Sequence, residues 1–300
     1  MLLDTVKSNN TIEFTNSETK GLFLEDVLKG LSSYPKKLDS KYFYDAKGDS
    51  LFQKIMGCEE YYVTRSEAEI FKNYAAEIAS GLNQDYDEFD LIELGAGDAS
   101  KTIYLLKELM QLNTNFSYIP VDISNSIIQY LEKELPTQLP DLQVKGLNGE
   151  YLDMLKKANS ISHRRKVVLF LGSNIGNMDT AKALAFLREI RLNLSEGDRV
   201  LIGFDLKKDP FTVLAAYNDA NGYTKAFNLN LLYRINQELG ANINVSQFDH
   251  YPTYDPITGA CKSYLVSKTK QQVQIENQIL SFTKVRLSGW SYPRNMTKKK

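Results

Sequence analysis

The sequence has very few of the residues that form disulfides or bind transition metals. Only two cysteines and two histidines occur among its 300 residues. Cys58 and Cys261 form no CxxC pair, so we expect ordinary thiols in a reducing compartment rather than a disulfide framework. His163 and His250 belong to no cluster of His, Cys and carboxylate residues, and no metal site is therefore predicted.

An excess of one charge and a long apolar run are also lacking. Lys and Arg total 36 against 37 Asp and Glu, which argues against the basic surface that nucleic-acid-binding proteins need. A membrane-spanning helix needs about 18 consecutive apolar residues, and no stretch of this sequence is nearly that long. The N-terminus also lacks the basic start and apolar core of a signal peptide. We expect a cytoplasmic protein that binds neither nucleic acid nor membranes. The sequence leaves its oligomeric state open, with a monomer favoured.

Strand-like and helix-like runs alternate through the middle of the chain. The strand-like runs are FDLIELGAG (89–97), FSYIPVDIS (116–124), LQVKGLNGE (142–150), RKVVLFLGSNIGN (165–177) and DRVLIGFDL (198–206). The helix-like runs between them are ASKTIYLLKELMQL (99–112), NSIIQYLEKEL (125–135), with Asn125 or Ser126 as its N-cap, and TAKALAFLREIRLNL (180–194). This alternation predicts a doubly wound, Rossmann-like α/β domain with a parallel sheet over residues 66–207.

The alternation stops after residue 207. Residues 207–240 predict one or two helices that end at Gly240. INVSQFDHYPTYD (243–255) and ACKSYLVSKTKQQVQI (260–275) predict two antiparallel strands, separated by the turn signal DPITG. Residues 1–65 contain no obvious βα unit. We therefore predict a second α+β lobe that is made from both chain ends, 1–65 and 208–300.

The turn after the first predicted strand lies in LIELGAGDASKT (91–102). Ligands of such sheets bind beyond the carboxyl ends of the strands, where glycines let the backbone approach closely. A dinucleotide site would have the pattern G-x-G-x-x-G/A, but Ser100 stands at the sixth position. Glu93 within the strand and Asp122 after the second strand, which can accept both ribose hydroxyls, favour S-adenosylmethionine. A nicotinamide dinucleotide and a tight turn without a ligand remain as alternatives.

A second turn, in LFLGSNIGNM (169–178), ends another predicted strand at the same edge of the sheet. It contains two glycines together with the amides of Asn174 and Asn177. An ordinary loop has the same residue types, but its position at the ligand edge favours binding.

Six separated motifs run through the chain in order. They are KYFYDAKGDSLFQKI (41–55), EEYYVTRSEAEI (59–70), IELGAGDASKT (92–102), VVLFLGSNIGN (167–177), AYNDANGYTKAFN (216–228) and LLYRINQEL (231–239). Together they resemble the histidine-specific Nα-methyltransferases of bacteria and fungi, which make hercynine on the ergothioneine pathway. The resemblance covers residues 34–275. It implies an enzyme that uses S-adenosylmethionine to methylate the α-amine of an amino acid, with L-histidine expected, and a substrate lobe built from both chain ends.

The resemblance also implies roles for single residues. It assigns Tyr44, Gly95, Lys101, Asp122 and Gly172 to the cofactor site, and it places Glu150 and Tyr151 beside the adenine, where the family has Asp-Phe. It assigns Tyr61, Asn177 and Tyr217 to the catalytic positioning of the substrate's amine and carboxylate, with Thr224 close by. The alternative is that the tyrosines are half-buried packing residues and that Lys101 is a solvated helix residue.

The C-terminal stretch departs from the family. Family members carry a Glu-x-Ser element that recognises the imidazole ring, whereas this sequence has no acidic residue after Glu276. We expect an end that is truncated or frame-shifted relative to the family, which leaves the substrate's identity open because a site without its hydrogen-bonding partner discriminates poorly. Two alternatives follow: a non-catalytic donor-binding or protein-interaction paralogue, and a methyltransferase for another small amine.

Overall fold

The structure is a computed structural model that describes residues 16–83 and 88–284. The chain forms two compact units. Among the described residues, the larger unit contains 43–83, 88–227 and 251–264, and the smaller contains 16–42, 228–250 and 265–284. Within the described ranges, no helix is both long and apolar enough to cross a membrane. The assignment of donor binding to 66–207 and of substrate binding to 1–65 and 208–300 stays a prediction.

The larger unit is built around a six-stranded sheet. Its strands are β1 (Glu88–Leu94), β2 (Asn115–Asp122), β3 (Gln143–Val144), β4 (Leu147–Asn148), β5 (Arg165–Phe170) and β6 (Arg199–Ile202). The order is β3-β2-β1-β5-β6, with β4 also on β2, and every pairing is parallel. The predicted doubly wound α/β sheet is thereby confirmed. The strand order reverses between β1 and β5, which is where such sheets bind ligands.

Nine α-helices occur in the described residues. They are α1 (Asn16–Ser32), α2 (Ala46–Met56), α3 (Tyr62–Asn83), α4 (Thr102–Gln111), α5 (Asn125–Gln138), α6 (Tyr151–Ile161), α7 (Thr180–Leu192), α8 (Pro210–Ala216) and α9 (Tyr223–Leu239). The apolar side chains of α3, α4 and α5 pack on one face of the sheet, and those of α6 and α7 pack on the other. Alternate residues of β1 enter the two cores, Leu91 on one face and Ile92 on the other. Burial on both faces explains the nearly continuous apolar strands.

Two local predictions in the sheet region need correction. The strand predicted over 142–150 forms only as β3 and β4, which both pair with β2. Gly146 lies between them, and glycine weakens extended structure. Helix α5 is capped by Ser124 rather than by Asn125 or Ser126, because the Ser124 hydroxyl accepts the N–H of Ile127.

The predicted pair of C-terminal strands is more divided than expected. The pairing of β7 (Phe248–Tyr254) with β8 (Cys261–Ser267) agrees with the prediction. The run 260–275, however, breaks at residues 268–270, and its second part becomes β9 (Gln271–Ile275), which pairs antiparallel with β10 (Gln278–Phe282). The predicted end of α9 is confirmed, since Gly240 follows it with a φ of +64°, the left-handed conformation that glycine adopts easily.

The smaller unit has its own core. Phe23, Val27 and Leu31 of α1 are buried, as are Ile235 of α9 and Val273 of β9. The Arg234 guanidinium lies 4.9 Å from the centre of the Phe23 ring and donates a hydrogen bond to the carbonyl oxygen of Tyr42 at 3.0 Å. These contacts join α1 to the second half of α9, although the two are about 200 residues apart.

Candidate active site

The glycine turn after β1 lies at the point where the strand order reverses. Gly95 and Gly97 have φ values of +79° and +53°, which glycine adopts without strain. The N–H of Gly97 donates to Oδ2 of Asp122 at 3.1 Å, and the N–H of Ser124 donates to Oδ1 at 2.9 Å. Burial raises the pKa of Asp122, and these two hydrogen bonds oppose the rise. Asp122 is therefore fixed against the turn, and each of its oxygens can accept a further hydrogen bond.

Two side chains converge on Gly95 from neighbouring segments. A Cβ atom at this position would lie 2.9 Å from Nδ2 of Asn174 and 3.0 Å from the Tyr151 hydroxyl. Asn174 follows β5, and Tyr151 begins α6, so three carboxyl-edge segments meet here. The Tyr151 ring packs edge-on against Phe170, with ring centres 5.4 Å apart. Position 95 consequently has room for backbone but not for a side chain.

An ion pair between Lys101 and Glu67 lies at the same carboxyl edge of the sheet. The ammonium of Lys101, the residue before α4, pairs with the carboxylate of Glu67 in α3. The same carboxylate accepts the N–H of Gly172 at 2.8 Å and 3.0 Å through its two oxygens. The predicted residues Lys101 and Gly172 are therefore brought together by Glu67, to which the sequence analysis gave no role.

Three of the predicted tyrosines lie in one cluster of aromatic side chains, Tyr44, Phe52, Tyr61, Tyr217 and Phe227, which we call the aromatic cluster. The rings of Tyr61 and Tyr217 meet edge to face, with centres 6.2 Å apart and an interplanar angle of 83°. Phe52 lies 6.2 Å from Tyr61 and 5.7 Å from Tyr44. The structure thus joins two predicted substrate residues to one predicted cofactor residue.

The hydroxyls of this region are neutral hydrogen-bond donors at neutral pH. Burial and the negative charge of Asp122 raise the pKa of Tyr44 and of Tyr151 well above their ordinary values. Burial raises the pKa of Tyr217 to about 12. The charge of Asp122 acts on the pKa of Tyr44, and Tyr44 belongs to the same aromatic cluster as Tyr61 and Tyr217.

The three other predicted site residues have different surroundings. Asn177 is exposed at the end of the short helical turn Asn174–Asn177 after β5. Glu150 is exposed and immediately precedes α6. Thr224 is buried in the first turn of α9, where its N–H donates to Oδ1 of Asp219 at 2.7 Å. Exposure of Asn177 and Glu150 leaves both side chains accessible to a ligand, whereas Thr224 helps to begin a helix.

A charged group that the sequence analysis missed adjoins the aromatic cluster. The Tyr62 hydroxyl donates to Oδ2 of Asp205 at 2.5 Å and accepts a hydrogen bond from the Lys208 ammonium at 3.0 Å. The N–H of Asp205 donates to Oγ of Ser173 at 2.9 Å. Tyr62 follows Tyr61 directly, so this group connects the segment that contains Tyr61 to the loops after β5 and β6.

Glu93 supports the glycine turn from within the sheet. Its buried carboxylate accepts hydrogen bonds from the Tyr118 hydroxyl at 2.5 Å and from Oγ1 of Thr102 at 2.7 Å. Burial raises the pKa of Glu93 to about 7, and these two hydrogen bonds oppose the rise. The strand acid that favoured a methyl donor in the sequence therefore links β1, β2 and the start of α4.

Known proteins resemble this chain over most of its length. The sequence profile of the family described as histidine-specific methyltransferase, SAM-dependent, matches residues 23–288. A protein of Mycolicibacterium smegmatis named histidine N-alpha-methyltransferase is 34% identical over 250 residues, which are 83% of this chain and 76% of that protein. Ergothioneine biosynthesis protein 1 of Schizosaccharomyces pombe is 31% identical over 243 residues, 79% of this chain and 31% of that protein. A 4-dimethylallyltryptophan N-methyltransferase of Claviceps fusiformis is 28% identical over 207 residues, 66% of this chain and 57% of that protein.

Proposed function

Because this chain belongs to the family of histidine-specific, SAM-dependent methyltransferases, we propose that it methylates the α-amine of L-histidine. Complete transfer gives Nα,Nα,Nα-trimethylhistidine, which is hercynine, a compound of the ergothioneine pathway. The observation that carries the proposal is the aromatic cluster. In it Tyr44, which the family motifs assign to the methyl donor, packs through Phe52 with Tyr61 and Tyr217, which they assign to the substrate.

The donor would occupy the edge of the sheet at the reversal of strand order. Asp122 accepts the ribose hydroxyls, because its carboxylate retains acceptor capacity beside the two backbone N–H groups that it already binds. Lys101 binds the carboxylate of the donor's methionine part, and Gly95 allows the donor to approach the backbone. The remaining donor contacts that we propose come from Tyr44, Glu150, Tyr151 and Gly172.

The substrate would lie against the aromatic cluster. Tyr61, Asn177 and Tyr217 hold the amine and carboxylate of the amino acid, with Thr224 at the start of the neighbouring helix. Methyl transfer is an in-line displacement in which positive charge moves from sulfur to nitrogen, so alignment contributes most of the acceleration. Neutral tyrosine hydroxyls orient the substrate without adding a competing cation, and their aromatic faces stabilise the ammonium that forms.

Proton removal is separate from methyl transfer. The amine must lose a proton before each attack, since only its lone pair can form the new carbon–nitrogen bond. Tyrosine hydroxyls are protonated at neutral pH, and burial raises the pKa of Tyr61 and Tyr217 further, so these groups donate hydrogen bonds rather than act as bases on their own. The proton therefore leaves to solvent, directly or through a hydroxyl that gives up one proton as it takes another.

A second candidate is the α-amine of a larger aromatic amino acid. The relative from Claviceps fusiformis is named for a prenylated tryptophan, and the aromatic cluster offers ring faces that an indole can contact. This candidate keeps the donor and the reacting group unchanged and differs only in the side chain that is recognised.

Incubation with S-adenosylmethionine and each of the common amino acids, followed by mass spectrometry, tests the proposal. We expect histidine to gain one, two and three methyl groups. Preferred methylation of tryptophan would favour the second candidate. Binding of S-adenosylhomocysteine without methylation of any amino acid would favour a non-catalytic donor-binding protein. Binding of NAD alone would contradict the donor assignment.

A further inference from the structure

The Glu67–Lys101 pair is the one ion pair among the described residues that joins α3 to the proposed donor edge. We propose that Glu67 is a positioning residue, whose carboxylate holds Lys101 and the Gly172 loop in the arrangement that receives the amino-acid end of the methyl donor. This inference rests on the proposed function, because it requires a donor with such an end. It adds a residue for which neither the motifs nor the strand pattern gave a role.

The contacts of Glu67 are specific and sheltered. Its side chain is 12% exposed and that of Lys101 is 19% exposed. The carboxylate binds the Lys101 ammonium through Oε2 and the Gly172 N–H through both oxygens. Hydrogen bonds that involve a charged group are stronger than neutral ones, and a sheltered, low-dielectric environment strengthens them further. Glu67 therefore fixes the loop after β1 and the loop after β5 in relation to each other.

The backbone beside Glu67 leaves room for its carboxylate. A Cβ atom at Gly203, the residue after β6, would lie 2.5 Å from Oε1 of Glu67. Any larger residue at this position would displace the carboxylate. The N–H of Gly203 donates to the carbonyl oxygen of Phe170 at 2.9 Å, so the glycine is held in place by the sheet. Three carboxyl-edge segments, after β1, β5 and β6, thus surround one side chain.

The position of Lys101 at the start of α4 explains why its ammonium needs the Glu67 carboxylate beside it. Lys101 is the N-cap residue of α4 and makes no side-chain capping hydrogen bond. A cation there is unfavourable, because the helix N-terminus already carries partial positive charge. Glu67 neutralises this charge in the absence of a ligand. The amino-acid end of S-adenosylmethionine or S-adenosylhomocysteine carries one carboxylate and one ammonium, and a paired Lys and Glu match that zwitterion in net charge.

A comparison of two ligands separates positioning from general support of the fold. S-adenosylhomocysteine has the adenosine part and the amino-acid end, whereas 5′-methylthioadenosine has the adenosine part alone. Loss of Glu67 should weaken only the first if the side chain acts on the amino-acid end. A general distortion of the donor edge would weaken both ligands.

The experiment uses Glu67→Gln in the full chain, with isothermal titration of both ligands. The glutamine oxygen can still accept the Gly172 N–H, but the side chain cannot pair with the Lys101 charge. We expect the affinity for S-adenosylhomocysteine to fall by about 10-fold or more, which is the size of a lost charge-assisted hydrogen bond, and the affinity for 5′-methylthioadenosine to stay within about twofold. Glu69→Gln is the matched control, since Glu69 is exposed on the same helix, and it should change neither.

The two ligand affinities distinguish the role of Glu67 from the proposed function. Equal losses for both ligands, or no loss for either, would overturn the role of Glu67 while the wild type still binds the donor. Failure of the wild type to bind S-adenosylhomocysteine would instead overturn the proposed function. If Glu67→Gln does not fold, Gly203→Ala gives the same test, because its Cβ atom displaces the Glu67 carboxylate, and the same selective loss is expected.

Discussion

Replacement of Asp122 by Asn tests the donor site most sharply. Both carboxylate oxygens accept backbone N–H groups, Oδ2 from Gly97 and Oδ1 from Ser124. Asparagine keeps one acceptor oxygen, but its NH2 group faces a backbone N–H that needs an acceptor. The variant therefore loses the negative charge and one of the two oxygens that we propose for the ribose hydroxyls.

The size of the effect follows from these contacts. A hydrogen bond to a charged group contributes about 1.5 to 3 kcal/mol, so the loss of one such bond should weaken binding of S-adenosylhomocysteine by about 10- to 150-fold at 1.4 kcal/mol per factor of ten. Isothermal titration measures this directly. Asp153→Asn, an exposed change in the first turn of α6, should leave the affinity unchanged.

A ligand that lacks both ribose hydroxyls completes the test. The wild type should bind the 2′,3′-dideoxy analogue of S-adenosylhomocysteine more weakly than the parent, whereas Asp122→Asn should discriminate much less between the two. An affinity of Asp122→Asn within about twofold of the wild type would refute the reasoning. So would equal losses for the parent ligand and the analogue, because the effect would then not involve the ribose.

Three further predictions concern the substrate side and the core. Tyr61→Phe and Tyr217→Phe should each raise KM for histidine by about 10-fold, which corresponds to the loss of one buried hydrogen bond. Binding of S-adenosylhomocysteine should stay unchanged. Weaker binding of this ligand would assign the two tyrosines to the donor site instead. Glu93 has a pKa raised to about 7 by burial, so its protonated form is favoured in the folded state, and the free energy of unfolding should fall as pH rises from about 5 to about 8. Urea titrations of Glu93→Gln should lack this decrease, and an identical pH profile would contradict the assignment. Lys166→Met should lower the free energy of unfolding by about 3 kcal/mol, because the buried carboxylate of Asp90 loses the ammonium 2.8 Å away and keeps only the Arg164 guanidinium at 4.0 Å. A loss below about 1 kcal/mol would show that the pair contributes little.

The sheet was predictable from the sequence because its central strands are apolar on both faces. Residues of β1 such as Leu91 and Ile92 enter opposite cores, and only a strand covered on both faces needs such a run. The short strands β3 and β4 were less predictable, since a glycine interrupts them. Likewise, the sequence does not distinguish Ser124 from its polar neighbours as a helix cap, because the choice depends on where the backbone turns.

The contacts of the candidate site were predictable only in part. Gly95 and Asp122 lie at the ends of strong strand patterns, so their meeting at one edge follows from the order of elements. Glu67 was missed because its partners Lys101 and Gly172 are 34 and 105 residues away in sequence. The spacing of residues along α3 does not indicate that Glu67 contacts Lys101 and Gly172. Only the folded sheet brings the three loops together.

The position of the transferred methyl groups tests the central claim most directly. Purified protein, S-adenosylmethionine with an isotopically labelled methyl group and L-histidine should give trimethylhistidine with every label on the α-nitrogen, and one equivalent of S-adenosylhomocysteine per methyl group. Tandem mass spectrometry and nuclear magnetic resonance locate the label. Labelled methyl groups on an imidazole nitrogen, or no labelled amino acid from a protein that binds S-adenosylhomocysteine, would contradict the account.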